Sequence, residues 1–214
     1  MLKLYYAPGT CALASHIALI DAGAAFEAVR LDFTKQQQQS PDYLAINPKG
    51  RVPALVTGQG VITETPAILA FIAQDFPMAR LAPIDNPFAF ARVQEFNSYL
   101  CSTCHVAHAH LRRGARWVDA SETAAIEAMQ RRVPSSVTQC FELIERGMLQ
   151  GPWVMGKDYT ICDPYLFTLS TWLDGDKADL SKLPRVVEHR ARMAERSSVK
   201  QALAEQTRQL APAA

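Results

Sequence analysis

Apolar residues follow two rhythms along this chain: short strand-like runs at the front, and helical spacing through most of the rest. Leu2 to Ala7 is a strand-type run broken by Pro8-Gly9. Thr10 to Ala22 then carries Leu13, Ile17 and Ile20 on one helical face and closes at Gly23. Glu27 to Asp32 reads as a second strand. A strand–helix–strand order requires a crossover, hence a parallel pair with a right-handed connection. Lys35 to Ser40, with its run of glutamines, reads as a loop, and Ser40-Pro41 opens a short helix that ends before Asn47. Two apolar runs, Val52 to Val56 and Val61 to Thr63, flank Thr57-Gly58-Gln59-Gly60, the pattern of a β-hairpin with a glycine-containing loop. Thr65 is the expected N-cap, and Pro66 the first residue, of a helix running to Phe76.

That order, βαβ followed by ββα, describes a thioredoxin-like half. Pro77 to Pro87 holds three prolines without clear periodicity and marks the expected boundary. The expected division is a first domain over 1–77, a linker over 78–86 and an all-helical domain over 87–214, so the fold class is α/β plus all-α. Within the helical part, Pro87 to Arg113 carries Phe90, Val93, Phe96 and Leu100 at helical spacing. Ser121 to Leu149 is a second helical pattern that Pro134 should kink or split. Thr160-Ile161-Cys162-Asp163 has the form of a capping box opening a buried helix to about Trp172. Pro184 to Arg196 and Ser198 to Leu210 are the last helices, and Ala211 to Ala214 should fray.

Composition narrows the function classes. The 214 residues, 49% of them hydrophobic, can bury a sizeable core, and Lys plus Arg at 22 against Asp plus Glu at 21 provides no broad basic surface for nucleic acid. No run of about 18 apolar residues would span a membrane, and the N-terminus lacks the order of a secretory signal. A cytoplasmic location is expected. Five cysteines, Cys11, Cys101, Cys104, Cys140 and Cys162, should then be mostly free thiols.

Three stretches could carry chemistry. The hairpin and following helix form a small sheet that offers backbone pairing near Val52 and Pro53 at one end and the free N–H groups of a helix N-terminus, an anion site, at the other. On frequency alone the Val52–Pro53 bond is expected to be trans. An ordinary strand–turn–strand–helix unit would look the same. Cys11 sits at the start of the first helix, where the dipole favours thiolate, although most cysteines are inert core residues. No second cysteine follows in Cys-x-x-Cys spacing. Cys101-Ser102-Thr103-Cys104-His105 matches a haem-attachment pattern, and Cys101, Cys104, His105 and His108 fall on one helical face as zinc ligands could. Haem attachment of this type needs export, and four ligands from one straight helix cannot close a tetrahedron, so no metal is expected. This face is expected instead to line a cleft between the two halves.

Asn47-Pro48-Lys49-Gly50-x-Val52-Pro53-Ala54-Leu55 followed by Thr63-Glu64-Thr65-x-Ala67-Ile68 resembles the glutathione-binding core of bacterial cytosolic glutathione S-transferases. Leu2 to Cys11 and Asp158 to Phe167 extend the similarity over nearly the whole chain, and Cys11 with His105 points to the beta class. The resemblance implies conjugation of glutathione to a small hydrophobic electrophile. The alternatives are a glutathione-dependent thiol-disulfide reductase using Cys11, or a non-catalytic glutathione- or ligand-binding protein. It implies Cys11 and His105 at the glutathione sulfur, with Tyr6 or Thr10 as further donors. It also implies Lys35, Val52, Pro53, Glu64, Thr65, Ser98 and Ser102 around the tripeptide. Ser98, Ser102 and His105 share one helical stripe. Glutathione is thus the expected co-substrate, and a homodimer the expected assembly. Two departures stand out: Ala12 where the family usually has Ser after the cysteine, and Ser98 and Val106 where it more often has Asn and Lys.

Overall fold

The computed structural model describes residues 1–207. It contains two compact units. The first comprises Met1–Phe90 together with residues 193–207, and the second comprises Ala91–Arg192.

In the first unit, β1 (Leu2–Tyr6), α1 (Ala12–Asp21) and β2 (Phe26–Arg30) form the crossover unit. They are followed by α2 (Pro41–Ile46), β3 (Ala54–Val56), β4 (Val61–Thr63) and α3 (Thr65–Asp75). The sheet order is β2-β1-β3-β4. β1 runs parallel to β2, with Leu4 opposite Ala28, and antiparallel to β3, with Leu4 opposite Leu55. Leu4, Ala54 and Leu55 are wholly buried, as are Ile68, Leu69 and Ile72 of α3 and Ile17 and Leu19 of α1. α1 and α3 pack on each other. α1 ends in a Schellman motif: the Ala24 N–H donates to the Leu19 carbonyl and the Gly23 N–H to that of Ile20, with Gly23 at φ +66°. This turns the chain directly into β2.

The strands are shorter than the apolar runs suggest. β3 starts after Pro53, which has no N–H for a ladder, and β2 stops at Arg30. Residues 35–40 are not a plain loop, because two 3₁₀ turns, Phe33–Lys35 and Gln37–Gln39, are joined by Gln36 in the left-handed conformation. Asp32 caps the first turn by accepting from the Thr34 N–H at 2.9 Å.

The last helix, α9, is outside the all-helical domain to which the sequence assigns it. It covers Ser197–Thr207 and packs against α1. Buried His16 of α1 reaches Glu205 through Nε2 at 2.8 Å, and the Tyr6 hydroxyl donates to the Glu205 carbonyl at 3.4 Å. The expected continuation to Leu210 and the fraying of 211–214 lie outside the described residues.

The second unit takes up the chain within α4 (Pro87–Tyr99), which passes through a π turn, Leu100–Cys104, into α5 (His105–Ala109). α6 (Thr123–Leu143) runs through Pro134 as one helix rather than two. Its buried face, Val133, Val137, Thr138 and Phe141, holds both sides of the proline in one packed stripe. A second π turn, Ile144–Met148, follows. α7 (Cys162–Ser170) is buried along its whole length, and α8 (Pro184–Ala194) completes the unit.

The capping box forms with Asp163 at its centre. Asp163 accepts from the Thr160 N–H at 2.7 Å and from the Val154 N–H at 2.8 Å, and it pairs with His189 at 3.0 Å, all within the core. No helix among the described residues is long and apolar enough to cross a membrane.

Candidate functional site

The turn between β1 and α1 presents Cys11. Gly9 at φ +71° makes the turn, and the Thr10 hydroxyl closes it by donating to the Ala7 carbonyl at 2.7 Å. Cys11 occupies the N-cap position of α1, half-buried, and its thiol donates to the backbone carbonyl of Val52 at 3.6 Å. Ala12 is fully buried in an apolar cluster with Tyr6, Ala7, Leu31, Tyr43, Val52 and Ala54. The methyl group at position 12 therefore completes core packing, and the residue brings no hydroxyl to the cysteine. Tyr6 faces the same cluster, with its hydroxyl directed at α9, and burial first of all raises its pKa.

The loop from Asn47 to Pro53 is tied down by its own residues. Buried Asn47 donates through Nδ2 to the Arg51 carbonyl at 2.6 Å, accepts from the Lys49 N–H at 3.2 Å, and receives the Gly50 N–H on its carbonyl at 2.9 Å. Tyr43 donates its hydroxyl to the same Arg51 carbonyl at 2.6 Å. Burial pushes the pKa of that hydroxyl up to about 12, so it stays a donor. Gly50 is favoured by its φ of +61°, and a Cβ there would also displace the end of the Gln39 side chain and crowd the Gln38 carbonyl at 3.1 Å. The loop thereby delivers Val52 to Cys11. The Val52–Pro53 peptide is cis, against the expectation from frequency.

The same loop reaches the start of α3. Lys49 Nζ pairs with the Glu64 carboxylate at 2.8 Å and donates to the Thr63 hydroxyl at 2.5 Å. Glu64, not Thr65, is the N-cap residue. It holds φ +72° and ψ +123°, a strained conformation for a side chain with a Cβ, costing on the order of 1–3 kcal/mol. Thr65 is the buried first helical residue and Pro66 the second, one place later than the turn chemistry implies. Thr65 and Ala67 then carry first-turn N–H groups that the helix itself cannot pair, and Pro66 contributes none. Lys35 ends the 3₁₀ turn at Phe33–Lys35 as an exposed cation.

Ser98, Ser102 and His105 belong to the second unit. Ser98 on α4 and Ser102 in the π turn are exposed, and His105, the first residue of α5, is half-buried. Asn97, beside Ser98, points inward and is fully buried. The His105 ring lies 5.1 Å from that of Trp172, and His108 stacks on the same indole at 4.3 Å. His108 Nδ1 meets both carboxylate oxygens of buried Asp176 at 2.8 Å. The Cys-x-x-Cys-His face is thus divided. Cys104 turns inward to Cys140, while His105 and His108 turn to Trp172. Among the described residues, no group of three or more His, Cys, Asp and Glu side chains converges as a metal ion would need.

Tyr6, Thr10, Cys11, Lys35, Val52, Pro53, Glu64 and Thr65 therefore lie in one unit, where the Asn47–Pro53 loop ties to both Cys11 and Glu64, while Ser98, Ser102 and His105 are carried by another. Sequence reasoning missed Lys49, Asn47 and Tyr43 as the supports of that loop, though Asn-Pro-x-Gly is itself a turn signal. Trp172 and Asp176 gave no signal beyond the Asp-Gly-Asp turn after a buried helix.

A family model described as "Glutathione S-transferase, N-terminal domain" matches residues 1–74. The chain is 32% identical to glutathione S-transferase GstA of Escherichia coli O157:H7 over 204 residues, covering 94% of this chain and 97% of that one. Among solved structures, a glutathione transferase homologue from Sulfitobacter with bound glutathione superposes with a TM-score of 0.91 at 42% identity, covering 96% and 98% of the two chains. A beta-class glutathione S-transferase of Sphingomonas chungbukensis superposes at 0.82 with 33% identity over 96% and 98%.

Proposed function

The chain belongs to the glutathione S-transferase family, and on that premise we propose how its residues carry out the transfer. The protein is a glutathione transferase: a glutathione thiolate attacks an electrophile, a carbon–sulfur bond forms, and the leaving group departs with its electron pair. The observation that carries the site assignment is the Asn47–Pro53 loop, which holds Val52 against Cys11 and, through Lys49, the carboxylate of Glu64 at the head of α3.

Glutathione offers one group to each of these places. Its γ-glutamyl carboxylate is received by the Thr65 N–H and hydroxyl at the α3 N-terminus, and its ammonium by Glu64, in exchange for Lys49. The cysteinyl backbone pairs with Val52 beside Pro53, which brings the sulfur to Cys11. Lys35, an exposed cation, serves a ligand carboxylate. Catalysis requires the bound sulfur to be ionised, which hydrogen-bond donors favour. Position 12 has no hydroxyl and the Thr10 proton is given to Ala7, so the task falls to the Cys11 thiol and to imidazole donation from His105. Tyr6 and Thr10 become donors only by giving up their bonds to the Glu205 and Ala7 carbonyls. Ser98 and Ser102 are assigned to the peptide portion of the ligand.

The second substrate in this reading is a small hydrophobic electrophile, the conjugation serves detoxification, and the protein works as a cytoplasmic homodimer. The transfer is tested by turnover of glutathione with an aromatic halide.

A further inference from the structure

Outside the proposed glutathione site, the second unit holds a pair of thiols brought together from different elements. Cys104 ends the π turn after α4, Cys140 lies near the end of α6, and their side chains are hydrogen-bonded to each other. Cys104 is only 1% exposed. Cys140 is half-buried, so of the two residues it is the one open to solvent. Tyr99 fixes the arrangement: its hydroxyl donates to the Cys140 carbonyl at 2.9 Å and is also hydrogen-bonded to the Cys104 side chain. The two sulfurs are not joined by a disulfide in the structure.

The division of labour between the two sulfurs follows from their surroundings. The hydrogen bond from Cys104 lowers the pKa of Cys140 to about 7, against the opposing effect of burial. The same hydrogen bond, and then burial, raise that of Cys104 well above the ordinary thiol range. The ionisable groups facing Cys140 are Cys104 from the π turn and Tyr99 from α4. A thiol with its pKa near ambient pH is the best attacking group in disulfide exchange. By contrast Cys162 is fully buried and donates to the Val93 carbonyl at 3.5 Å.

We propose that Cys104 and Cys140 form a reversible dithiol–disulfide couple that is oxidised by the disulfide of a small thiol, with Cys140 attacking and Cys104 resolving. The Cys140 thiolate attacks one sulfur of the small disulfide. A mixed disulfide forms as the original sulfur–sulfur bond breaks, and one small thiolate leaves. Cys104 then loses its proton to that thiolate and attacks the Cys140 sulfur, expelling the second small thiolate. Two protein thiols are oxidised by two electrons and the small disulfide is reduced to two thiols. This site lies apart from Cys11 in sequence and does not depend on glutathione being the protein's substrate.

The reduced full-length protein is exposed to glutathione disulfide, quenched in acid, alkylated, and mapped by mass spectrometry without reduction. The expected product is a peptide pair linked through Cys104 and Cys140. Cys104→Ser should accumulate glutathione on Cys140, and Cys140→Ser should leave Cys104 unmodified. Removal of the Cys104 donor should also slow alkylation of Cys140 near pH 7 by more than about tenfold, because its thiolate fraction falls from about one half to a few per cent. Wild-type protein in which both thiols remain free overturns the proposal without recourse to any variant. Equal alkylation rates at Cys140 with and without Cys104 overturn the assignment of roles.

Discussion

The thiol of Cys11 lies 3.6 Å from the backbone carbonyl of Val52, forty-one residues further along the chain. The contact joins the N-terminus of α1 to the loop before β3, and it is where a cysteinyl residue paired with Val52 would bring its own sulfur. Two chemistries at Cys11 give opposite results on substitution. If it acts as a donor to the glutathione sulfur, conjugation survives better in Cys11→Ser than in Cys11→Ala, because an alcohol still donates. A nucleophilic Cys11 would lose reduction of a glutathione mixed disulfide in both, since an alcohol at neutral pH does not replace a thiolate. The account expects the first pattern, with partial loss of conjugation, measured as kcat/KM for both reactions in both variants.

Thr65 at the head of α3 is buried, and its assignment is to the ligand carboxylate. Thr65→Ala should weaken glutathione binding by about 1 to 2 kcal/mol, the scale of one charge-assisted hydrogen bond. Calorimetric affinity and thermal stability are measured together, so that a loss of fold is not taken for a loss of contact. Unchanged affinity would remove Thr65 from the site.

Much of the first unit was legible in the sequence because its turns are made by local chemistry. Pro8-Gly9, Ser40-Pro41 and the Gly58 to Gly60 loop each force the backbone in a way their neighbours cannot override, and the helices and strands between them appear in the expected order, with shorter strands and two 3₁₀ turns in place of the expected loop. The N-cap of α3 was misplaced by one residue because Glu64 adopts a positive φ, for which glutamate carries no propensity signal. The π turn at Leu100–Cys104 was hidden for a related reason: one extra residue per turn scarcely disturbs a helical apolar pattern, yet it changes which side chains share a face. The return of α9 to α1 depends on His16 and Glu205, 189 residues apart, a pairing that periodicity cannot reveal.

That buried pair gives a pH dependence with a definite sign. Burial, outweighing the hydrogen bond to Glu205, lowers the pKa of His16 below its ordinary 6.5. The unfolded chain therefore binds the proton first as pH falls. The stability contributed by neutral His16 is complete above about pH 6.5 and is lost as the pH drops through the folded pKa. Glu205→Gln removes the group that partly raises that pKa, so its unfolding midpoint should fall more steeply below pH 6.5 than that of the wild type. Denaturant midpoints at a series of pH values provide the measurement, and parallel curves for the two proteins would contradict the assignment.

Assembly is tested in solution. The homodimer reading calls for a single species at twice 23.6 kDa in sedimentation at micromolar concentration. A single species at 23.6 kDa contradicts it.

The most direct measurement is steady-state turnover of the purified protein with glutathione and an aromatic halide, with the product identified by mass. The account predicts a thioether formed at a rate that saturates in glutathione and exceeds the uncatalysed background, with a reduced rate in His105→Ala that is most pronounced at low pH. A protein that binds glutathione but forms no thioether above background would contradict the central claim.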